Sequence, residues 1–292
     1  MSPTILNRLS YRELALRGLD QLPAFSPVLN HLMSSLADED VSFAQLASVI
    51  ERDSVLSGNV LRLVNSALYG RRGTVSSVRA AVSILGISRL RNFLLGLSVS
   101  KLFARVKPPQ AFDMERFNTH STAVAILADQ LVQKLEASYP EGAFAAGLLH
   151  DLGRLMLAMT LPQEHAQIME MRRETGRPIE ECELELIETT HAELSAAALQ
   201  RWGLPTPIHK AVLYHHRSGL DPGSAQSGVL ALSAVIENAD LIADAMGHWL
   251  EETDSRLAPM VGECFARLRV EPSAEAILSN LETELQAVRA TV

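Results

Sequence analysis

Histidine and aspartate stand side by side at His150-Asp151, at the end of the apolar run Ala143 to Leu149. The pair sets a neutral nitrogen donor next to a hard anionic oxygen. Gly153 follows, a residue that frees the backbone to end one helix and begin another. Taken alone, the dipeptide reads more readily as a buried imidazole with a carboxylate acceptor than as a ligand pair. Its company argues for more: His120 upstream, then His191, the doublet His215-His216, and Asp240 in the helical run Ala231 to Ala245. Imidazole and carboxylate together suit divalent zinc, iron, manganese or nickel, and these seven groups suffice for two ions sharing a bridging carboxylate. The expected division puts His120, His150, Asp151 and Asp240 at one ion, with His191, His215 and His216 at a second position beside Asp151. Ligands must shed protons to bind metal, so affinity should fall as pH drops through the histidine range near ~6.5. His165 and His209 lie outside this set.

Positioning such groups calls for helices that converge. Asp113 can cap a helix running to about Leu135, with His120 on its inward face beside Ala123 and Leu127. A helix from Glu141 delivers His150 and Asp151, and Leu161-Pro162 starts a further segment that ends at Gly176. Thr190 and Glu193 form a capping box that places His191 in a first helical turn. Trp202-Gly203-Leu204-Pro205 closes that helix, and Pro207 opens the next, which ends at His215-His216. Upstream, the signals are those of short capped helices. Tyr11 to Leu22 precedes a Pro23 to Pro27 connector, Ser42 and Gln45 make a capping box, and Asp53 or Ser54 starts a helix through Val64. Asn65 and Ser66 read as polar residues holding a turn, Ser76 or Ser77 caps Val78 to Leu85, Gly86 ends it, and Ser88 opens a helix over Arg89 to Val106. Lys107-Pro108-Pro109 is the best internal break, dividing an N-terminal subdomain (1–110) from a second subdomain (111–292). Past Gly247, Leu278, Leu281, Leu285 and Val288 are spaced to pack a terminal helix on the body. The expected fold class is all-α, with no strands.

Composition sets outer limits. The chain has 292 residues, 47% hydrophobic, which is enough for a substantial core. A net charge of −8 argues against broad nucleic-acid binding, although Arg71, Arg72, Arg79, Arg89 and Arg91 cluster in sequence. No apolar run approaches the ~18–20 residues of a membrane span, and no signal segment is evident, so a cytoplasmic location without membrane insertion is expected. Cys182 and Cys264 form neither a disulfide framework nor a CxxC site.

Several of these segments, in this order, resemble the HDOD family of bacterial signalling proteins: Leu22-Pro23 with Pro27, Leu63 to Gly70 (LVNSALYG), Ser76 to Val82 (SSVRAAV) and Leu85-Gly86. The resemblance covers about residues 16 to 216 and implies an N-terminal helical bundle packed on an HD-like helical half. The wider HD superfamily of metal-dependent phosphohydrolases uses a first histidine, a His-Asp pair and later His and Asp residues. Its cyclic-dinucleotide phosphodiesterase branch adds a histidine doublet. All have counterparts here in His120, His150, Asp151, His191, His215, His216 and Asp240. Many HDOD proteins have lost part of this set and have no established activity.

The chain also departs from the pattern. Arg217 to Pro222 replaces the Gly-Tyr-Pro segment of the phosphodiesterase branch. Arg116 stands where members with three metals carry Glu, which makes two ions the ceiling, and Arg154 replaces the usual Lys while keeping a charge able to grip phosphate. The expected function is a signal-transduction regulator whose HD half binds one or two divalent ions, takes a phosphate-containing ligand and reports to a protein partner. The alternative is a metal-dependent phosphohydrolase acting on a nucleotide or other phosphoester. In it Asp151 bridges the ions and Arg154 stabilises phosphoryl charge, the two catalytic candidates.

Overall fold

Apolar residues at helical spacing, punctuated by polar caps, produce an all-helical chain with no strand among the described residues. The computed structural model describes residues 10–22, 30–32, 47–48, 50–51, 53–65, 74–135, 142–223, 230–251 and 260–289. The Pro23 to Pro27 connector, the Ser42/Gln45 capping box, Ser66 to Gly70 and Arg71-Arg72-Gly73 fall outside those residues.

In the N-terminal half the helices are α1 (Tyr11–Leu16), α2 (Gly18–Gln21), α3 (Ser54–Val64), α4 (Val78–Leu85) and α5 (Ile87–Phe103). Ser10 and Glu13 form a capping box at α1, and Asp53 accepts from the Leu56 N–H at α3. Ser77 caps α4, and Gly86 both ends it and precedes α5, which therefore starts slightly earlier than the expected Ser88.

The second half opens with α6 (Met114–Val132), capped by Asp113 as the sequence implies. It continues through α7 (Ala143–Leu149), α8 (Leu152–Thr160), α9 (Pro162–Thr175), α10 (Ile179–Ile187), α11 (His191–Arg201), α12 (Thr206–Leu213) and α13 (Leu232–Ala245), and ends with α14 (Val261–Leu268) and α15 (Ala274–Arg289). Helix α6 is the axis of this half: α7, α13 and α15 all pack on it, and α11 packs on α8 and α12. The terminal helix α15 does turn its apolar side inward, burying Ile277, Leu281 and Leu285. Rings of Phe103, Phe112 and Phe117 meet at centroid distances of 5.4 and 5.5 Å, joining the end of α5 to the start of α6.

Both cysteines are buried and free. The arginines grouped in sequence do not form one patch among the described residues. Arg91 is buried, Arg79 pairs with Glu51 at 3.6 Å, and Arg89 lines a small cavity with Glu284. No single described helix is long and apolar enough to cross a membrane.

Asn65 holds the chain ahead of α4 in place. Its amide donates to the Leu61 and Val75 carbonyls, both at 2.8 Å, and its Oδ1 accepts from the Val75 N–H at 2.7 Å. Net gains of ~0.5–1.5 kcal/mol per hydrogen bond imply that Asn65→Leu, which removes all three, destabilises the fold by about 1.5–4.5 kcal/mol. Denaturant titration should read that loss, while metal content stays at the wild-type level.

Candidate metal centre

Five stretches of chain supply the centre. Helix α6 contributes His120, the α7–α8 junction His150 and Asp151, and the first turn of α11 His191. The turn after α12 contributes His215 and His216, and α13 contributes Asp240. All seven sequence-derived residues come together. Asp151 lies in the middle: its Oδ1 is 3.2 Å from His191 Nε2, 3.7 Å from His150 Nε2 and 3.8 Å from His215 Nε2. Its Oδ2 is 3.8 Å from His120 Nε2 and 3.2 Å from an Arg154 terminal nitrogen. Asp240 Oδ1 lies 3.2 Å from His120 Nε2 and 3.6 Å from His150 Nε2, and its Oδ2 lies 3.9 Å from His216 Nδ1. Six of the seven are buried, and His216 is partly exposed.

The imidazoles are aimed from behind. His120 Nδ1 donates to the His248 carbonyl at 2.8 Å, His150 Nδ1 to Gly147 at 2.7 Å and His215 Nδ1 to Val212 at 2.6 Å, while His191 Nδ1 meets the Glu183 carboxylate at 2.8 Å. A carbonyl only accepts, so the proton sits on Nδ1 and the Nε2 lone pair faces the centre. Those lone pairs crowd: His191 and His216 Nε2 are 2.9 Å apart, and His120 and His150 Nε2 are 3.2 Å apart. Each pair needs a proton or a cation between its members. Asp151 Oδ1 and His215 Nε2 are buried without a hydrogen bond among the described residues, an arrangement that is costly unless a cation satisfies them. Donor atoms of Asp151, His191, His215 and His216 form one compact group, and those of His120, His150 and Asp151 another, each spanning no more than 4.8 Å. The residues present therefore fit a pair of divalent ions with Asp151 between them.

The surrounding charges set the protonation of the cluster. Burial works against a proton on His120, but the hydrogen bond and charge of Asp240, with Asp244 and Asp151, lift its pKa to about 10. His191 is likewise disfavoured by burial and raised, to about 9, by Glu183 and Asp151. His216 is pushed well below the ordinary imidazole range by burial and by His215 and His191. Burial would raise the Asp151 carboxyl, yet His150 and Arg154 hold it well below the usual carboxylate range.

Gly153 plays a part different from the one expected. The helix break falls at His150 and Asp151, and Gly153 lies inside α8. A Cβ there would stand 2.1 Å from the His191 carbonyl oxygen, and one at Gly147 would stand 2.8 Å from the Ala125 Cα on α6. These two glycines let α8 meet α11, and α7 meet α6, at backbone distance. Arg116 stays outside the cluster, stacked 4.3 Å over the Trp249 ring and paired with Asp113.

The HDOD domain pattern matches residues 22–218, well over half of the chain. The chain belongs to the HDOD family. It is 26% identical over 205 residues to an uncharacterized protein of Treponema pallidum (strain Nichols), a match covering 68% of this chain and 38% of that protein, so the chain spans well under half of that relative's length. Its fold is that of an HDOD domain protein of unknown function from Geobacter sulfurreducens (TM-score 0.71, 24% identity, 96% of each chain covered). It is also that of a protein from Shewanella amazonensis SB2B provisionally described as a phosphohydrolase (TM-score 0.69, 24% identity, 95% and 97% covered).

Sequence reasoning missed three residues in this HDOD site. Asp244, whose Oδ1 is 3.5 Å from His120 Nδ1, lies one turn beyond Asp240 on α13, a spacing that could have disclosed it. Glu183 and Arg172 carry no such signal. Glu183 stands among Glu180, Glu181 and Glu185 on the same helix, and only the packing singles it out.

Replacing Asp151 by Ala should remove most of the metal from protein purified without chelator, whereas substitutions at His165 or His209 should leave it in place. Glu183→Gln should weaken metal affinity by ~10–100-fold through a loosened His191. The raised His120 and His191 values mean that the metal-free cluster holds protons at neutral pH. Metal uptake at pH 7–8 should therefore release protons, and affinity should keep rising with pH toward 9, beyond the window expected from unperturbed histidine. Calorimetry in buffers of different ionisation enthalpy reads that release.

Proposed function

We propose that this HDOD protein is a metal-dependent phosphohydrolase whose HD half holds two divalent ions about Asp151. The observation that carries the reading is that the cluster opens, through His120, Asp151, His216 and Asp240, into a cavity that Arg154 also lines. A centre walled off by apolar side chains would suit a purely structural metal; this one is reachable by an anion. Bound ions would supply Lewis-acid activation and a water deprotonated at neutral pH. The chain's own residues do the rest. Asp151 holds both positions together, and Glu183, Gly147, Val212 and His248 fix the imidazole faces. Arg154, 3.2 Å from Asp151 Oδ2, orients that carboxylate and brings a fixed positive charge toward phosphoryl oxygens. Burial below the cavity keeps competing water away from these groups.

A second, regulatory reading is favoured by one contact. The His248 carbonyl that accepts the hydrogen bond from His120 Nδ1 belongs to a residue whose ring is 3.1 Å from Glu282 on α15. These two contacts link the centre to the terminal helix, an arrangement suited to reporting ligand state to a protein partner.

Phosphoester turnover by metal-loaded protein, set against Asp151→Ala, separates the two. Hydrolysis at least 100-fold faster than the variant is expected. Full metal content without turnover would leave the regulatory reading alone.

A further inference from the structure

Arg172 is the charged group that no motif marks. It lies on α9 outside the expected ligand set, yet it is 5% exposed and lines the same cavity as Arg154, His216 and Asp240. The cavity is about 360 Å3 in volume, near the lower end of the ~300–1,000 Å3 found for small-molecule sites. Its walls differ in chemistry. Helices α8 and α9 bring Arg154 and Arg172. Helices α10 and α13 bring the carboxylates of Glu180, Glu237 and Asp244 and the apolar side chains of Ile179 and Leu241. At Glu237 the segment after the histidine doublet closes in, with the Ser218 hydroxyl donating to the Glu237 carboxylate.

We propose that Arg172 is a phosphate-binding residue and that the substrate is a small phosphomonoester of a hydroxylated alcohol, a sugar phosphate either free or as part of a mononucleotide. This rests on the phosphohydrolase reading and narrows it. Two permanently charged forks beside the metal positions match a monoester dianion, which presents three terminal oxygens, better than a diester, which presents two and a single charge. The carboxylate wall accepts hydrogen bonds from hydroxyl groups and repels a second phosphate. The volume suits a ligand the size of a sugar phosphate or a mononucleotide. In the reaction a water oxygen bonds to phosphorus and the ester P–O bond breaks. The proton lost by the water is balanced by one gained on the leaving oxygen, and the products are inorganic phosphate and the free alcohol.

The test is binding of inorganic phosphate to metal-loaded protein by titration calorimetry, with metal content measured on every sample. Arg172→Gln should weaken phosphate at least tenfold with metal retained. Arg172→Lys, which keeps charge and most of the volume but loses the fork, should fall between and serves if the Gln variant does not fold. Unchanged phosphate affinity in a folded, metal-loaded variant overturns the assignment of Arg172. A parallel turnover panel compares ribose 5-phosphate and a 5′-mononucleotide with bis(p-nitrophenyl) phosphate and a cyclic dinucleotide. Faster turnover of the diesters overturns the substrate class but leaves the hydrolase reading standing. Phosphate binding that depends on Arg172, without turnover of any ester, supports the anion site and overturns the hydrolase reading instead.

Discussion

A carboxylate taken out of water into the middle of a helical core costs on the order of several kcal/mol, and it stays ionised only if cations or donors surround it. Asp151 is such a carboxylate. Arg154 lies against one oxygen, and the ring nitrogens of His150, His191 and His215 approach the other. Everything else about the HD half can be read as meeting that demand. Three helices and two turns are arranged so that groups from these five stretches of chain converge on one centre. The imidazoles are turned the right way round by backbone carbonyls and by the Glu183 carboxylate behind them.

The close helix crossings follow from the same requirement. Side chains as short as imidazole and carboxylate reach a common point only when the backbones that carry them nearly touch. Gly147 and Gly153 permit this, the first against α6, the helix that carries His120, the second against the His191 carbonyl itself. The Gly153 N–H is then satisfied by the Ser195 hydroxyl on α11 at 2.8 Å, so the contact leaves no backbone donor stranded. Space around the centre is thus set by backbone, which deforms less readily than side chains do.

Membership of the HDOD family does not decide whether a chain is a catalyst or a regulator, because a fold can keep a site's architecture while its use changes. What weighs toward chemistry here is the combination of a full donor set with an accessible cavity above it that Arg154 and Arg172 help to line. What weighs toward signalling is the tether from His120 through His248 to Glu282 on the terminal helix. The two are compatible: a centre that turns over a ligand can also report its occupancy through that tether.

Local chemistry made the helices and the seven candidate ligands legible in the sequence alone. Asp113, Ser77 and the Thr190/Glu193 box act within one helical turn, so their roles need no knowledge of distant residues. The His-Asp pair and the doublet are likewise adjacent along the chain. Glu183, Arg172 and the two glycine contacts were not legible, because each owes its role to a partner on another helix. Glu183 differs from Glu180, Glu181 and Glu185 only in facing His191. Arg172 differs from the neighbouring Arg173, which pairs with Glu170 at the surface, only in which side of α9 meets the cavity. Which carboxylate is buried, and which glycine touches a backbone, are outcomes of packing between helices, and that is decided only when the tertiary structure closes.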